Sequence, residues 1–291
     1  MKLIDGKKIS NDVLREIKSL VEKRLRNNKK IPHLAAILIG DDGPSQTYVN
    51  SKIKACKSVG FKSSLFKFKK SISEIKLLNE IEKINKNDEI DGFIIQLPLP
   101  NEINQDNILS KVDPKKDVDG FNPINYGKMA LGIETFIPAT PAGIIELIKR
   151  YNIDLEGKKC LVIGRSQIVG RPISILLSQN KVFGNATVTL AHSRSINLKN
   201  LCLESDVIIS AIGIPKFIKS DMIKKGSIII DVGISRVNDL SSNKGYKIEG
   251  DVDFKDVFRK VSFITPVPGG IGPMTIAMLL KNTLKACAIN D

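Results

Sequence analysis

The chain has 291 residues, enough for one large or two small domains with a sizeable core, and 42% hydrophobic with 26% charged residues is globular usage. Lys and Arg outnumber Asp and Glu by 45 to 31, a net charge of +14 that favours anionic partners. The lysines are dispersed, aromatics are few and there is no basic tail, so a small anionic substrate is a better reading than nucleic acid, and a lysine bias without functional meaning accounts for the charge equally well. No apolar run reaches the ~18 residues of a spanning helix, and Met1-Lys2-Leu3-Ile4-Asp5-Gly6 holds no apolar signal segment, which argues for a cytoplasmic protein with no membrane partner. Cys56, Cys160, Cys202 and Cys287 show no C-x-x-C spacing and no partnering histidines, which speaks against disulfides and against a metal site.

In chain order, Val13, Leu14, Ile17, Leu20, Val21 and Leu25 mark a helix over 10–25. His33–Ile39 reads as a strand ending at Gly40, and Ser45 as the N-cap of a helix from Gln46 to about Ser58. Phe61–Phe68 is a second strand, Ile75, Leu77, Leu78, Ile81 and Ile84 mark another helix, and Gly92–Leu97 is a third strand stopped by Pro98-Leu99-Pro100. Alternation at this spacing means parallel βαβ units. From Asp113 to Thr140 the chain is rich in Pro, Gly, Asn and Asp without a long periodic segment, as in a linker or a set of functional loops. Thr140-Pro141 looks like a capped helix start, carried on by Ile144, Ile145, Leu147 and Ile148 to Tyr151. A second αβ series follows, with strands at Lys159–Ile163, Ala186–Ala191, Val207–Ala211 and Ser227–Val232, and Pro273 opens a last apolar helix. The expected class is α/β in two lobes. An N-terminal αβα lobe spans 1–139 and is rejoined by the helix at 273–291, and a Rossmann-like lobe with a parallel sheet spans 140–272.

The candidate chemistry sits at strand ends. Leu161-Val162-Ile163-Gly164 runs into Arg165-Ser166-Gln167-Ile168-Val169-Gly170, a strand, a glycine turn and a helix start. A helix N-terminus offers unpaired N–H groups to a phosphate, although Ser166 stands where the second glycine of G-x-G-x-x-G belongs. The next strand ends His192-Ser193-Arg194-Ser195 with no acid to bind ribose hydroxyls, which favours NADP over NAD, and Arg165 can lean toward the same place. Gly213 and Gly233 follow two further strand ends and would let backbone approach a cofactor closely. In the first lobe, Tyr48 and Lys52 share a helix face at i, i+4, which is equally an exposed pair or a substrate-binding one. Gln96 ends an apolar strand, Asp117 and Asp119 lie in a turn-rich stretch, and Pro268-Gly269-Gly270-Ile271-Gly272 precedes the last helix with bare backbone suited to a flat ligand.

Taken together and in this order, Tyr48-Val-x-x-Lys52, Gln96-Leu97-Pro98-Leu99-Pro100, Asp117-Val118-Asp119-Gly120, Gly164-Arg165-Ser166-x-Ile168-Val169-Gly170-Arg171-Pro172 and Pro268-Gly269-Gly270-Ile271-Gly272-Pro273-Met274-Thr275 closely resemble the bifunctional methylenetetrahydrofolate dehydrogenase/cyclohydrolase family. Ile4-Asp5-Gly6-Lys7 also resembles that family's start, so the likeness covers essentially the whole chain. The resemblance implies a homodimer of two-lobed subunits, with a tetrahydrofolate one-carbon derivative, polyglutamylated in the cell, between the lobes and NADP on the second. It places Lys52, Tyr48, Gln96 and Asp119 in the active site, with Lys52 as the proton carrier, Gln96 orienting it, Tyr48 stacking on folate and Asp119 receiving the pterin's amino face. Leu97 and Pro268, Gly269, Gly270, Ile271 and Gly272 match substrate-side segments. Gly164, Arg165, Ser166, Ser193 and Ile234 match cofactor contacts. Two departures stand out: Ala139 where a cysteine is common, which argues against thiol chemistry, and Gly43-Pro44 in place of Pro-Ala before the Tyr48 helix. A dehydrogenase-only enzyme and a basic nucleotide- or RNA-binding module are the alternatives; retention of Lys52 speaks against the first, and charge alone supports the second.

Overall fold

The computed structural model describes residues 2–239, 241–242 and 245–289; the last two residues of the predicted C-terminal helix lie outside the described residues. The chain begins with β1 (Lys2–Leu3), α1 (Gly6–Arg26), β2 (His33–Ile39), α2 (Gly43–Val59), β3 (Lys62–Phe68), α3 (Glu74–Asn85) and β4 (Gly92–Ile95). Two short helices follow, α4 (Gln105–Lys111) and α5 (Pro123–Ala130). The second series is α6 (Ala139–Arg150), β5 (Lys159–Ile163), α7 (Gly170–Ser178), β6 (Thr187–Ala191), α8 (Leu198–Glu204), β7 (Val207–Ser210) and β8 (Ile228–Asp231). It ends with β9 (Ser235–Asn238), β10 (Tyr246–Glu249), α9 (Phe254–Val257), β11 (Phe263–Ile264) and α10 (Ile271–Ile289). These pack as two units, Met1–Ser10 with Thr140–Thr275, and Asn11–Ala139 with Ile276–Asp291.

In the unit built on Asn11–Ala139, β3, β2 and β4 form a parallel sheet in that order. Its core gathers Ala35, Ile37, Leu77, Ile81, Ile90, Phe93 and Ile108. On α1 the predicted stripe narrows: Val13, Ile17 and Val21, an i, i+4 row, are buried, whereas Leu20 and Leu25 are half exposed. Helix α2 starts earlier than the sequence suggested. Its N-cap is Asp42, whose carboxylate accepts the Ser45 N–H at 2.9 Å, so Ser45 is capped rather than capping. Gly60, at φ 84°, closes the same helix, as a left-handed C-cap favours glycine. The Pro- and Gly-rich middle holds α5, and α4 lies just before it; each is too short for a periodic signal and each is capped by an asparagine, Asn104 and Asn122.

In the other unit, the sheet order is β1-β11-β8-β7-β5-β6, and every pair is parallel. Strand β5 has β6 on one side and β7 on the other, so the chain reverses its direction of travel across the sheet there. The carboxyl ends of the strands at that reversal are where open α/β sheets bind ligands. The first residues belong here because Lys2 and Ile4 N–H groups bond to Ser262 and Ile264 carbonyls at 2.7 and 2.8 Å. Strands of two residues are too short for alternation to reveal, which is why β1 and β11 are invisible in the sequence. The antiparallel pair β9–β10 also went unpredicted. Helix α6 begins at Ala139, and the Thr140 hydroxyl, expected as its cap, instead shares a 2.9 Å hydrogen bond with the Thr275 hydroxyl. Helix α10 begins at Ile271, ahead of the predicted Pro273.

Candidate active site

Lys52 reaches its position through the helix repeat. The buried residues of α2 are Ser45, Val49, Cys56 and Val59, and Lys52 falls in the gap of that 4-3-4-3 spacing, on the seam that faces the sheet. A lysine on a core-facing seam is half-buried rather than free in solvent. Its ammonium donates to Gln96 Oε1 at 3.2 Å. Gln96 is held by the sheet itself: its N–H continues the β4 ladder to the Ile37 carbonyl at 2.9 Å, and its side-chain amide donates to the Leu97 carbonyl at 2.8 Å. Tyr48, one turn before Lys52, is 43% exposed, a ring left bare beside the amine. The end of β2 and the loop after β4 also border an open cavity of about 410 Å³ lined by Gly40, Asp42, Lys70, Leu99 and Pro100, among others.

Asp119 arrives from the loop after Asp117, which pairs with Phe93 in an isolated parallel bridge. The two carboxylates have separate roles. Asp117 is buried, and its oxygens accept the N–H groups of Phe121 at 3.1 Å and Asn122 at 2.8 Å and the Asn125 amide at 2.8 Å. It holds the loop. Asn282 of α10 adds a second fastening, donating to the Val118 and Ile137 carbonyls at 2.8 and 3.0 Å, a residue no motif in the sequence pointed to. Asp119 takes no such part in holding the loop among the described residues. Burial pushes its carboxyl up to about 6, with Lys52 pulling down and Asp117 pushing up. Burial lowers the pKa of Lys52, partly offset by Asp119. An amine and a carboxyl drawn together toward neutrality can pass a proton, which salt-bridge partners held at their ordinary values do not do.

In the other unit the β5–α7 turn is built by steric necessity. Gly164 has φ +109°, and a Cβ there would lie 2.3 Å from the Ala211 carbonyl oxygen beyond β7; a Cβ on Gly170 would lie 1.8 Å from the Gly164 oxygen. Ser166 is not a missing glycine: its hydroxyl accepts the Val169 and Gly170 N–H groups at 3.2 and 3.4 Å. The helix start that the sequence presents as unpaired donors is therefore partly capped from within, and Arg165 becomes the turn's main offer to an anion. After β6, Ser195 folds the loop back by accepting the His192 N–H at 2.9 Å, leaving Ser193 and Arg194 exposed. Arg165 is exposed as well, and among the described residues no ion pair engages either arginine. Ile234, 44% exposed, stands on the loop after β8. A nucleotide with an extra phosphate fits this edge, which has bare turns, two uncommitted guanidinium groups and no acid after β6.

The loop over Pro268–Gly272 belongs to this unit too. The Lys7 N–H bonds to the Gly269 carbonyl at 2.8 Å, and a Cβ on Gly6 would lie 1.8 Å from the Gly270 oxygen. Part of its glycine content thus serves packing against the start of α1. Pro268 is exposed, while Gly270 and Ile271 are buried. Within the described residues the structure thus gathers Lys52, Gln96 and Asp119 in one unit, with Tyr48 one turn away. It gathers Gly164, Arg165, Ser166, Ser193 and Ile234 along one sheet edge of the other.

Comparisons with known proteins match both units. The profile of the tetrahydrofolate dehydrogenase/cyclohydrolase catalytic domain matches residues 4–119, and that family's NAD(P)-binding domain matches residues 138–291. A bifunctional protein FolD from Christiangramia forsetii is 58% identical over 286 residues, 98% of this chain and 96% of that protein. The crystal structure of a bifunctional methylenetetrahydrofolate dehydrogenase/cyclohydrolase from Campylobacter jejuni is 45% identical, with a TM-score of 0.93 over 99% of each chain. A Trypanosoma brucei dehydrogenase-cyclohydrolase, solved with NADP cofactor and inhibitor, is 33% identical with a TM-score of 0.94, covering 99% of this chain and 97% of its own. With both domain profiles matched and full-length relatives above half identity, the chain belongs to the tetrahydrofolate dehydrogenase/cyclohydrolase family.

Proposed function

We propose that this protein oxidises 5,10-methylenetetrahydrofolate to 5,10-methenyltetrahydrofolate with NADP and then hydrolyses the product to 10-formyltetrahydrofolate. The observation that carries the reading is the half-buried Lys52 amine on Gln96, its pKa lowered by burial, beside an Asp119 carboxyl raised to about 6, in a chain of this family. When bound, NADP accepts the hydride. The residues that would hold it are Gly164, Arg165, Ser166, Ser193 and Ile234, with Arg165 and Ser193 taking the 2′-phosphate. Loss of hydride leaves a methenyl cation whose charge is spread over two nitrogens, so this step needs orientation more than acid–base help. Tyr48 supplies orientation by stacking, and Asp119 accepts hydrogen bonds from the pterin's amino face. Leu97 and the segment from Pro268 to Gly272 contribute substrate contacts.

Hydrolysis does need proton movement. Water adds to the methenyl carbon, and Lys52 as a neutral amine takes the proton that water loses. The added hydroxyl then gives up its remaining proton to become the formyl oxygen as the bond from that carbon to N5 breaks; one of the two protons goes to N5, the other leaves to solvent, and the formyl group stays on N10. A cationic substrate next to a partly desolvated amine lowers the amine's pKa further, which makes the neutral form available near pH 7. Gln96 keeps the amine aimed.

The enzyme works as a homodimer in the cytoplasm on polyglutamylated folates, which the net charge of +14 attracts. The test is direct. Purified protein with methylenetetrahydrofolate and NADP should generate methenyltetrahydrofolate absorbance, then 10-formyltetrahydrofolate, and NAD should serve far less well. Absence of either product above the spontaneous rate refutes the corresponding activity. Equal affinity for mono- and polyglutamylated substrate at low salt would refute the role given to the charge.

A further inference from the structure

Two carboxylates in the NADP-side unit have no part in the scheme above and are among its most enclosed groups. Asp231, the last residue of β8, is 3% exposed, and Asp251, just after β10, is 0% exposed. Asp251 Oδ2 accepts the Ser210 hydroxyl at 3.0 Å and the Ile212 N–H at 2.8 Å, and Oδ1 accepts the Ile214 N–H at 2.9 Å. Asp231 Oδ1 accepts the Gly233 and Asp251 N–H groups, both at 2.9 Å, and Oδ2 accepts the Val252 N–H at 2.9 Å. Among the described residues no cation pairs with either. Burying such groups without a counter-charge is costly, and full hydrogen bonding is what makes it tolerable.

The donors tell what the pair does. Ile212 and Ile214 belong to the loop after β7, and Gly233 to the loop after β8. Both loops leave the carboxyl edge of the sheet beside the Gly164 turn, and the second carries Ile234. The steric record agrees: a Cβ on Gly233 would lie 2.2 Å from Asp251 Oδ1, and one on Gly250 would lie 2.0 Å from Asp231 Oδ2. Gly233 is therefore a glycine that admits a carboxylate, a need its sequence position did not reveal.

We propose that Asp251 and Asp231 are positioning residues for the cofactor, fixing the loops Ala211–Ile214 and Val232–Ile234 in the shape that receives NADP without touching it themselves. The inference rests on the reading of this unit as the NADP site. It carries a pH signature. Asp231 is faced by the Gly233, Asp251 and Val252 N–H groups, by the Thr265 hydroxyl, which its own N–H reaches at 2.7 Å, and by the Asp251 carboxylate, the titratable neighbour that acts on it. Burial, with Asp251 adding in the same direction, pushes the Asp231 carboxyl up to about 7. Its three acceptor contacts suit the ionised form, so cofactor affinity weakens as pH falls through about 7.

The experiment is calorimetric titration of NADP into full-length wild type and Asp251→Asn, with amide hydrogen exchange of the cofactor-free proteins. Asparagine keeps the volume and loses an acceptor, so a space-filling role predicts no change. Positioning predicts an NADP Kd raised about tenfold or more. It also predicts faster exchange at Ile212 and Ile214, and a pH limb moved to lower pH because the neighbour's charge is gone. Cyclohydrolase activity, which needs no cofactor, separates this from general damage and should stay within about twofold. A folded variant whose Kd and pH profile match wild type overturns the proposal. Should Asp251→Asn fail to fold, Ser210→Ala removes one donor and leaves the carboxylate's backbone bonds; a Kd raised about threefold supports positioning and an unchanged Kd overturns it. Wild-type protein that binds no NADP overturns the function assigned to the unit, a result distinct from any difference between variants.

Discussion

Replacing Lys52 by methionine removes one amine and almost no volume, which makes it the sharpest probe of the water chemistry. The amine's hydrogen bond goes to Gln96 Oε1 at 3.2 Å, and Gln96 is half-buried, so water can replace the donor and the lost bond costs about 1 kcal/mol of stability. Asp119 loses the cation that pulls its pKa down, and its carboxyl moves above the present value of about 6. Loss of a positioned general base costs ~10²–10⁴ in rate. That is ~3–5 kcal/mol of barrier. Activity and stability should therefore part: the melting temperature moves by a few degrees at most, while cyclohydrolase falls to near the spontaneous rate. Dehydrogenase turnover, which relies on orientation, should remain within about tenfold of wild type. Lys52→Arg discriminates further, because a guanidinium keeps the charge but does not release a proton near pH 7. The assay follows loss of methenyltetrahydrofolate absorbance and identifies 10-formyltetrahydrofolate chromatographically. Either variant hydrolysing at more than about a tenth of the wild-type rate refutes the role of the amine.

Arg165→Glu should raise the KM for NADP about 10- to 100-fold, the worth of one charge-assisted hydrogen bond, and leave the KM for NAD nearly unchanged; equal changes in both would refute phosphate recognition by Arg165. The wild-type KM for folate should fall as pH rises through about 6, where Asp119 ionises and becomes a pure acceptor, and Asp119→Asn should flatten that limb; a profile identical in the two proteins counts against Asp119 as the acceptor. Asn282→Ala frees the Val118 and Ile137 carbonyls and should cost about 1–3 kcal/mol in urea unfolding, with cyclohydrolase falling more than folate-independent NADP binding. An unchanged urea midpoint would mean that water replaces both bonds without loss.

The sequence made the βαβ alternation and the candidate residues legible because both depend on local pattern. Strands of four to seven residues between helical stripes announce a parallel sheet, and turns after strand ends announce a ligand edge. What stayed hidden depended on partners distant in sequence. Nothing near Lys2 and Leu3 reveals that they pair with Phe263 and Ile264, and that pairing is what draws the start of the chain into the later unit. Lys52 could have been singled out more firmly. Its place in the 4-3-4-3 seam of Ser45, Val49, Cys56 and Val59 puts a charge where a hydrophobe is expected, a stronger signal than its spacing from Tyr48. Ser166 illustrates the opposite error, since a residue read as a weak match to a glycine pattern is the hydroxyl that caps the helix.

The aspartates show why composition of a loop does not reveal its actors. A loop that leaves a sheet has N–H groups with no ladder partner, and each buried one needs an acceptor. A carboxylate, with four lone-pair sites on a short stem, satisfies several at once. Asp117 does this for Phe121 and Asn122, Asp231 for Gly233, Asp251 and Val252, and Asp251 for Ile212 and Ile214. In each case the residue proposed to meet ligand is a neighbour: Asp119 beside the first, Ile234 on the loop fixed by the other two. The burial that makes these holders effective also raises the Asp117 and Asp231 carboxyls, so a raised pKa by itself marks holder and actor alike. Donors separate them. A carboxylate already surrounded by N–H groups of its own loop has little acceptor capacity left for substrate, whereas Asp119 acts on the Lys52 amine and, among the described residues, takes no such backbone donors. Asp117→Asn and Asp119→Asn should therefore differ in kind. The first should loosen the loop and lower stability by about 1–3 kcal/mol, by setting an amide N–H₂ against the Phe121 and Asn122 donors. The second should fold as well as wild type and raise the KM for folate at every pH. Matching effects of the two substitutions on stability and on KM would show that the distinction is not real.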